Sequence, residues 1–146
     1  MKAVEAFPDI TIPKEEKSIF QNNVYFVKLA EGEEFISLNS VCNKIGFIHC
    51  GEMHSIMLSK RKPIVVLSHY NNQFVSVFTG ILTGEPSNRC IRASRPTRLT
   101  VIPGPLMFQL IARHPCWIQF WINIMGTQLH DLNEVEKHTL RKTGKS

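Results

Sequence analysis

The sequence predicts a mainly β fold of the sandwich, jelly-roll or small-barrel kind, followed by C-terminal helices. Short apolar or alternating runs fill residues 20–102, turn-forming residues separate these runs, and the apolar spacing becomes helical afterwards. The chain has 146 residues, the length of one domain, and 43% of them are hydrophobic, enough to bury a core. The sequence therefore predicts one folded globular unit.

An N-terminal arm or short helix is predicted for residues 1–19, which contain Pro8, Pro13 and a charged run. The β-roll domain is predicted to span residues 20–115. Its strands are expected at residues 24–27, 35–38, 45–48, 55–58, 64–67, 74–77 and 99–102. Gly, Pro, Asn and charged residues mark the turns between them. Because closing or doubling a sheet covers the edges of antiparallel strands, this pattern favours a closed or two-sheet architecture.

Two helices are predicted after the last strand. Pro103 and Pro105 end the strand and open a short helix over residues 106–113, which Pro115 stops. A long helix and linker occupy residues 116–146, and apolar residues recur in the helix at spacings of four, three, four and three. This heptad seam consists of Ile118, Ile122, Met125, Leu129 and Leu132.

A second apolar stripe lies on another flank of the long helix. It consists of Trp117, Phe120, Trp121 and Ile124. Because one helix with two apolar faces needs two covering surfaces, we expect the aromatic face to pack on the same chain and the seam to meet a second subunit. The alternative is that both stripes are core of one monomer. We favour the homodimer, since the helix is longer than a small barrel covers.

The sequence lacks the recognisable motifs of an enzyme. It has no nucleophile elbow, no zinc-protease pair and no phosphate-binding glycine loop, so neither a catalytic residue nor a cofactor is predicted. The alternative function is a metal-dependent jelly-roll protein or enzyme that uses His49, Cys50 and His54, because imidazole and thiolate bind zinc, copper or iron. His69 is a further candidate ligand of the same site. Adjacent residues of a strand point to opposite faces, which weighs against a shared ion at His49 and Cys50. We therefore predict no metal.

The net charge by itself does not identify a binding partner. The net charge is +5, and four arginines follow one another at spacings of three between Arg89 and Arg98. On one strand this spacing alternates faces, so the arginines cannot form a single row, and a solvated strand is the simpler interpretation.

The predicted location is the cytoplasm. The four cysteines form no CxxC pair, and the N-terminus lacks a basic segment followed by an apolar signal core. The longest apolar stretch, residues 116–125, is far shorter than the roughly 20 residues that cross a bilayer, so no membrane contact is expected.

The order of elements resembles the sensor domain of the catabolite activator protein/FNR family of bacterial transcription regulators, a cyclic-nucleotide-binding-like domain. The similarity covers residues 20–140 and includes the small barrel, a Gly-bearing hairpin at 47–58, a short helix and a long amphipathic helix. Within the family, the segment Cys116-Trp117-Ile118-x-x-Trp121 is similar to a divergent enterobacterial branch of winged-helix regulators. The resemblance implies an eight-stranded jelly roll, a homodimer through the long helix, and DNA binding by a following domain that this chain does not contain.

The resemblance also implies where a ligand pocket lies. Nucleotide-binding members carry Gly-Glu-Leu in the pocket and an Arg ten residues beyond that Glu. An ungapped match places Ser76, Val77 and Phe78 at Gly-Glu-Leu and Ser87 at the Arg. Cyclic AMP binding of the usual kind is therefore not expected, since a buried phosphate without a cation loses an interaction worth roughly 1.5–3 kcal/mol. Arg89, two positions further on the same strand face, offers a displaced phosphate contact.

The predicted function is the sensor and dimerisation domain of a bacterial transcription regulator. Two possibilities stay open for its input, either a less polar ligand or no small ligand at all. The predicted pocket residues are Phe74, Ser76, Val77, Phe78, Ser87 and Arg89. We expect a domain cut from a longer regulator rather than a complete protein, because the basic residues 142–146 read as an interrupted linker.

Overall fold

The computed structural model describes residues 2–143, apart from the side chains at 130, 132, 136 and 138–143. Eight antiparallel strands form two four-stranded sheets. The strands are β1 (Tyr25–Leu29), β2 (Glu34–Ile36), β3 (Lys44–Cys50), β4 (Met53–Ser59), β5 (Lys62–His69), β6 (Phe74–Val75), β7 (Cys90–Ala93) and β8 (Thr97–Pro103). The helices are α1 (Lys14–Asn23), α2 (Phe78–Thr83), α3 (Gly104–Arg113) and α4 (Cys116–Thr143), with a 3₁₀ turn at Ala3–Glu5. The predicted jelly-roll fold with C-terminal helices is confirmed.

The first sheet lies between two cores. Its strand order is β1-β8-β3-β6, and that of the second sheet is β2-β7-β4-β5. Side chains alternate along β3, so that Ile48 joins the core between the sheets while Ile45 and Phe47 join the core under the helices. The near-continuous apolar character of β3 therefore reflects burial of both of its faces.

Two segments differ from the sequence prediction. The strand expected at residues 74–77 ends at Val75, and the short helix α2 follows at Phe78. Residues 89–98 are not one strand, because a turn separates β7 from β8 and is held by a hydrogen bond from Ser94 N to the carbonyl oxygen of Glu52. Arg92 and Arg98 consequently lie in different sheets.

The N-terminal segment is tied to the C-terminal helices by one buried carboxylate. Glu16 of α1 accepts hydrogen bonds from Arg113 Nη2 and Trp117 Nε1, both at 3.0 Å. The hydrogen bond from Arg113, followed by that from Trp117, lowers the pKa of Glu16. Phe20 stacks on Trp117 with ring centroids 5.4 Å apart. The short opening helix is thus part of the core.

Helix α4 has one buried face and one exposed apolar face. Trp117, Phe120 and Ile124 are completely buried in the core beneath the helices. Further along, Val135 packs against Met57 and Val66 of the second sheet.

The predicted seam is only partly exposed, because Met125 packs against the core beneath the helices. Ile118, Ile122 and Leu129 are 43%, 53% and 63% exposed, respectively, and Met125 is half-buried. The side chain of Leu132, the fifth seam residue, lies outside the described residues. Within residues 2–143, no helix has the length and apolar character required to cross a membrane.

Candidate functional site

The connection from β6 to β7 forms the predicted pocket region. Helix α2 ends at Gly84, whose φ of 75° is the left-handed conformation that glycine adopts readily. A Cβ at Gly80 would lie 2.7 Å from the backbone nitrogen of Cys42, so glycine allows α2 to pack directly on that segment. The chain then returns through Ser87 into β7.

The six predicted pocket residues are all buried, but they divide among three environments. Phe74 and Phe78 face the helices, with ring centroids 6.0 Å from Phe120 and 5.9 Å from Trp121. Val77 lies in the core between the sheets. The three polar residues come together elsewhere, at the start of β7; they are Ser76, Ser87 and Arg89. The three polar residues predicted for the pocket thus lie together, apart from the two aromatic ones.

Arg89 is a cation held inside the domain, only 5% exposed. Its Nη2 donates to the carbonyl oxygen of Ser76 at 3.4 Å, and its Nη1 donates to Asn88 Oδ1 at 3.2 Å. Its Nε is buried without a hydrogen-bond partner in the part of the chain that the structure describes. Burial lowers the pKa of Arg89, while Asp131 and Cys42 act in the opposite direction. A guanidinium nonetheless stays protonated in proteins, so a positive charge with an unused donor lies in the interior.

A second buried group lies beside this cation. His69, at the end of β5, shares a hydrogen bond of 2.8 Å with Ser55 Oγ of β4. The other ring nitrogen of His69, Nδ1, is 3.9 Å from Asp131 Oδ2 of α4. Burial, followed by the charges of Arg89 and His54, lowers the pKa of His69 to about 4. The imidazole is therefore neutral at pH 7.

These groups form an interior polar cluster, defined here as Ser55, His69, Ser76, Arg89 and Asp131. Its one cation, Arg89, has a donor without a partner among the described residues and would attract an anionic oxygen, whereas the carboxylate of Asp131 already offsets part of that positive charge. Asp131 is the carboxylate that α4 contributes to this cluster. The cluster therefore connects the roll to the long helix.

The histidine and cysteine residues proposed as metal ligands do not assemble a site. The ring of His49, on β3, is hydrogen-bonded to Thr100, whereas His54, on β4, is 2.9 Å from Glu52 Oε2. Cys50 is exposed at the end of β3. No group of three metal-ligating side chains occurs among the described residues. The metal-dependent alternative thus has no support in this geometry.

Comparisons with solved structures identify the fold. No family model and no curated protein matches the chain. Among solved structures, a protein assigned to the crp/fnr family of transcriptional regulators from Eubacterium rectale has a TM-score of 0.71 at 15% identity, covering 92% of this chain and 62% of that one. Catabolite Activator Protein from Thermus thermophilus has a TM-score of 0.69 at 12% identity, covering 88% and 60%. A cyclic nucleotide-binding domain from Methylobacillus flagellatus has a TM-score of 0.71 at 14% identity, covering 92% and 76%.

This chain has the cyclic-nucleotide-binding-like fold. It spans about six tenths of the length of the first two of these proteins. Likeness at such identities shows the fold alone, because one fold supports many functions. The function of the cyclic-nucleotide-binding-like domain must therefore be argued from its own residues.

The predicted ligand pocket did not include His69, Ser55 and Asp131, and His69 was considered only as a metal ligand. One signal for Asp131 is present in α4, where Gln128 and Asp131 interrupt an otherwise apolar stripe between Ile124 and Val135. Gln128 Nε2 donates to the carbonyl oxygen of Phe74 at 3.0 Å. Polar residues within a buried stripe are typical of specific buried partners. The pairing of Ser55 with His69 has no comparable signal, because it depends on the register of β4 and β5, in which Met53 lies opposite His69 and Ser55 opposite Leu67.

Proposed function

We propose that this cyclic-nucleotide-binding-like domain is the sensor and dimerisation domain of a bacterial transcription regulator that acts in the cytoplasm. The fold supports the proposal, since transcription regulators are among the structures that share it. The observation that carries it is the exposure of three apolar seam residues of α4, namely Ile118, Ile122 and Leu129.

The seam is suited to a symmetric dimer of α4 helices. Apolar residues at a heptad spacing pack against the same residues of a partner helix, and a two-fold axis makes the two surfaces identical. Full burial of an exposed Leu or Ile side chain contributes about 1.5–3 kcal/mol, and these residues are about half exposed, so each would contribute about half of that amount in a dimer. Ile118, Ile122 and Leu129 are the described residues that would gain this burial.

DNA binding belongs, in this proposal, to a domain that follows α4 in the full regulator. A dimer of helix-turn-helix domains reads two half-sites whose separation matches the spacing of its recognition helices. The α4 pair would set that spacing. The sensor domain itself then needs no DNA-contacting surface.

The input, we propose, is not cyclic AMP bound in the usual way. Val77 has no acceptor for a ribose hydroxyl, and the hydroxyl of Ser87 already bonds the backbone of Arg89. Arg89 is the cation that remains for an anionic group, displaced by two residues from the family's Arg position. A small anion that reaches the unused donor of Arg89 fits the interior polar cluster better than a cyclic nucleotide does.

Sedimentation velocity tests the dimer. We expect a dimer for the unchanged chain and monomers for Ile122→Lys and Leu129→Lys, because a charge at the seam would be buried in the interface. Val65→Lys is the matched control: Val65 is 51% exposed on β5, away from the seam. Circular dichroism checks that each variant is folded. A monomeric parent, or seam variants that remain dimers, would contradict the assignment.

Calorimetric titration tests whether the domain binds cyclic AMP. Cyclic AMP is expected to show no saturable binding below about 1 mM, which corresponds to only about −4.1 kcal/mol. Tight cyclic AMP binding by the unchanged chain would refute this part of the proposal. The dimer test stands separately from it.

A further inference from the structure

Two adjoining cavities lie beside the N-terminal segment, on the face of the first sheet that is turned away from the second sheet. The smaller has a volume of about 250 Å³ and is lined mainly by apolar side chains, among them Val4, Phe20 and Val24. The larger has a volume of about 600 Å³ and is lined by Lys28 and Arg98, among others. Lys2, Phe26 and His49 line both cavities. We call the pair the outer groove.

The outer groove has an aromatic residue at its centre. Phe26 of β1 is 75% exposed, and its ring centroid is 6.3 Å from that of His49. A single exposed apolar side chain is ordinary on a protein surface. Phe26 differs because it borders both cavities, one of them largely apolar. Ligand sites commonly combine such an apolar wall with a few polar groups.

The charged half of the groove contains an unfavourable pair. Lys28 of β1 lies directly opposite Arg98 of β8 in the antiparallel register, and like charges in that position destabilise a sheet. Neither forms a salt bridge with another residue in the described part of the chain. Lys2 adds a third cation, and Glu5 is the one acid among the described lining residues. The groove thus has an excess of positive charge that an anion would relieve.

We propose that the outer groove binds a small anion with an apolar tail, of the alkyl or aryl carboxylate class. The tail lies in the smaller cavity against Phe26, and the carboxylate lies between Lys28 and Arg98. A guanidinium fork matches the two oxygens of a carboxylate, and the neighbouring ammonium adds a second charge-assisted contact. The residues that line the outer groove include none of the interior polar cluster, so the two sites are separate.

An NMR titration with three probes tests the proposal. Sodium octanoate carries both tail and charge, octanamide the same tail without charge, and sodium acetate the charge without the tail. We expect octanoate to shift the amide signals of Phe26, Lys28, Arg98 and Thr100 in a saturable manner. Octanamide and acetate should each bind at least about tenfold more weakly, because each lacks one of the two contacts.

One substitution separates binding from stability. Lys28→Glu removes a cation from the groove and places an opposite charge across from Arg98, so the melting temperature should stay the same or rise. Its octanoate affinity should fall at least about tenfold. Lys62→Glu, the same charge change on β5 of the other sheet, is the control and should leave the affinity unchanged.

Three results would each overturn the proposal. The first is the absence of saturable octanoate binding, and the second is equal binding of octanamide. The third is unchanged affinity in a folded Lys28→Glu protein. None of these results depends on whether the seam forms a dimer.

Discussion

Acidification removes stability from this domain through His69. The ring is buried, and its pKa falls from the ordinary 6.5 to about 4. Between these two values the unfolded chain binds a proton that the folded chain does not, so stability is complete above pH 6.5 and declines as the pH falls towards 4. Each pH unit within this window costs about 1.36 kcal/mol, so the whole window costs about 3 kcal/mol. For a small domain this is a large part of the total stability.

Urea unfolding at several pH values between neutral and about 4.5 measures the effect. The matched variant is His69→Gln, whose amide retains a hydrogen bond to Ser55 but does not titrate. Other titrating groups are present in both proteins, so the difference between the two pH profiles isolates His69. The groups facing His69, namely Arg89, His54 and Asp131, also stay in place. Parallel profiles for the two proteins would refute the reasoning.

Two further substitutions, Ile124→Ala and Gly80→Ala, test the packing, and Val65→Ala is the control. Ile124→Ala, at a completely buried position on α4, should lower the free energy of unfolding by about 2–5 kcal/mol in urea titrations; Val65→Ala, at an exposed position, should change it by less than about 0.5 kcal/mol. Gly80→Ala should cost about 1–3 kcal/mol in thermal unfolding, because its Cβ would approach the backbone of Cys42 to 2.7 Å. A fully stable Gly80→Ala protein would mean that α2 does not pack tightly on that segment.

The strands were predictable because their signal is local. Alternation or short apolar runs between turn residues marked seven of the eight strands. Helix α2 was not predictable in this way, since its six residues continue the apolar run of β6. Its helical form depends on the close approach of Gly80 to Cys42 and on the left-handed conformation of Gly84. The approach of Gly80 to Cys42 is a tertiary contact, and the spacing of apolar residues along the sequence does not reveal such contacts.

The site was partly predictable for a similar reason. The family resemblance placed Ser87 in the pocket, and strand alternation put Arg89 on the same side; Arg89 is buried, although it precedes β7 and does not lie on a strand. The neighbours of Arg89 could not be inferred, because His69 and Asp131 come from distant segments. Their approach requires α4 to lie along β5, and that depends on how the aromatic face of α4 packs around Trp117 and Phe120.

Helix α4 carries residues of both parts of the proposed function, the sensor cluster and the dimer seam. On its inner face Gln128 donates a hydrogen bond to the roll and Asp131 lies 3.9 Å from His69, while Ile122 and Leu129 are exposed on its outer face. An anion bound to Arg89 would compete with Asp131 for the same positive charge and weaken the attachment of α4 to β5. A ligand changes a conformational equilibrium only by its different affinity for the two states, and this competition supplies such a difference. Because a helix moves as a rod, a shift at Asp131 would move the seam and, through it, the spacing of the dimer.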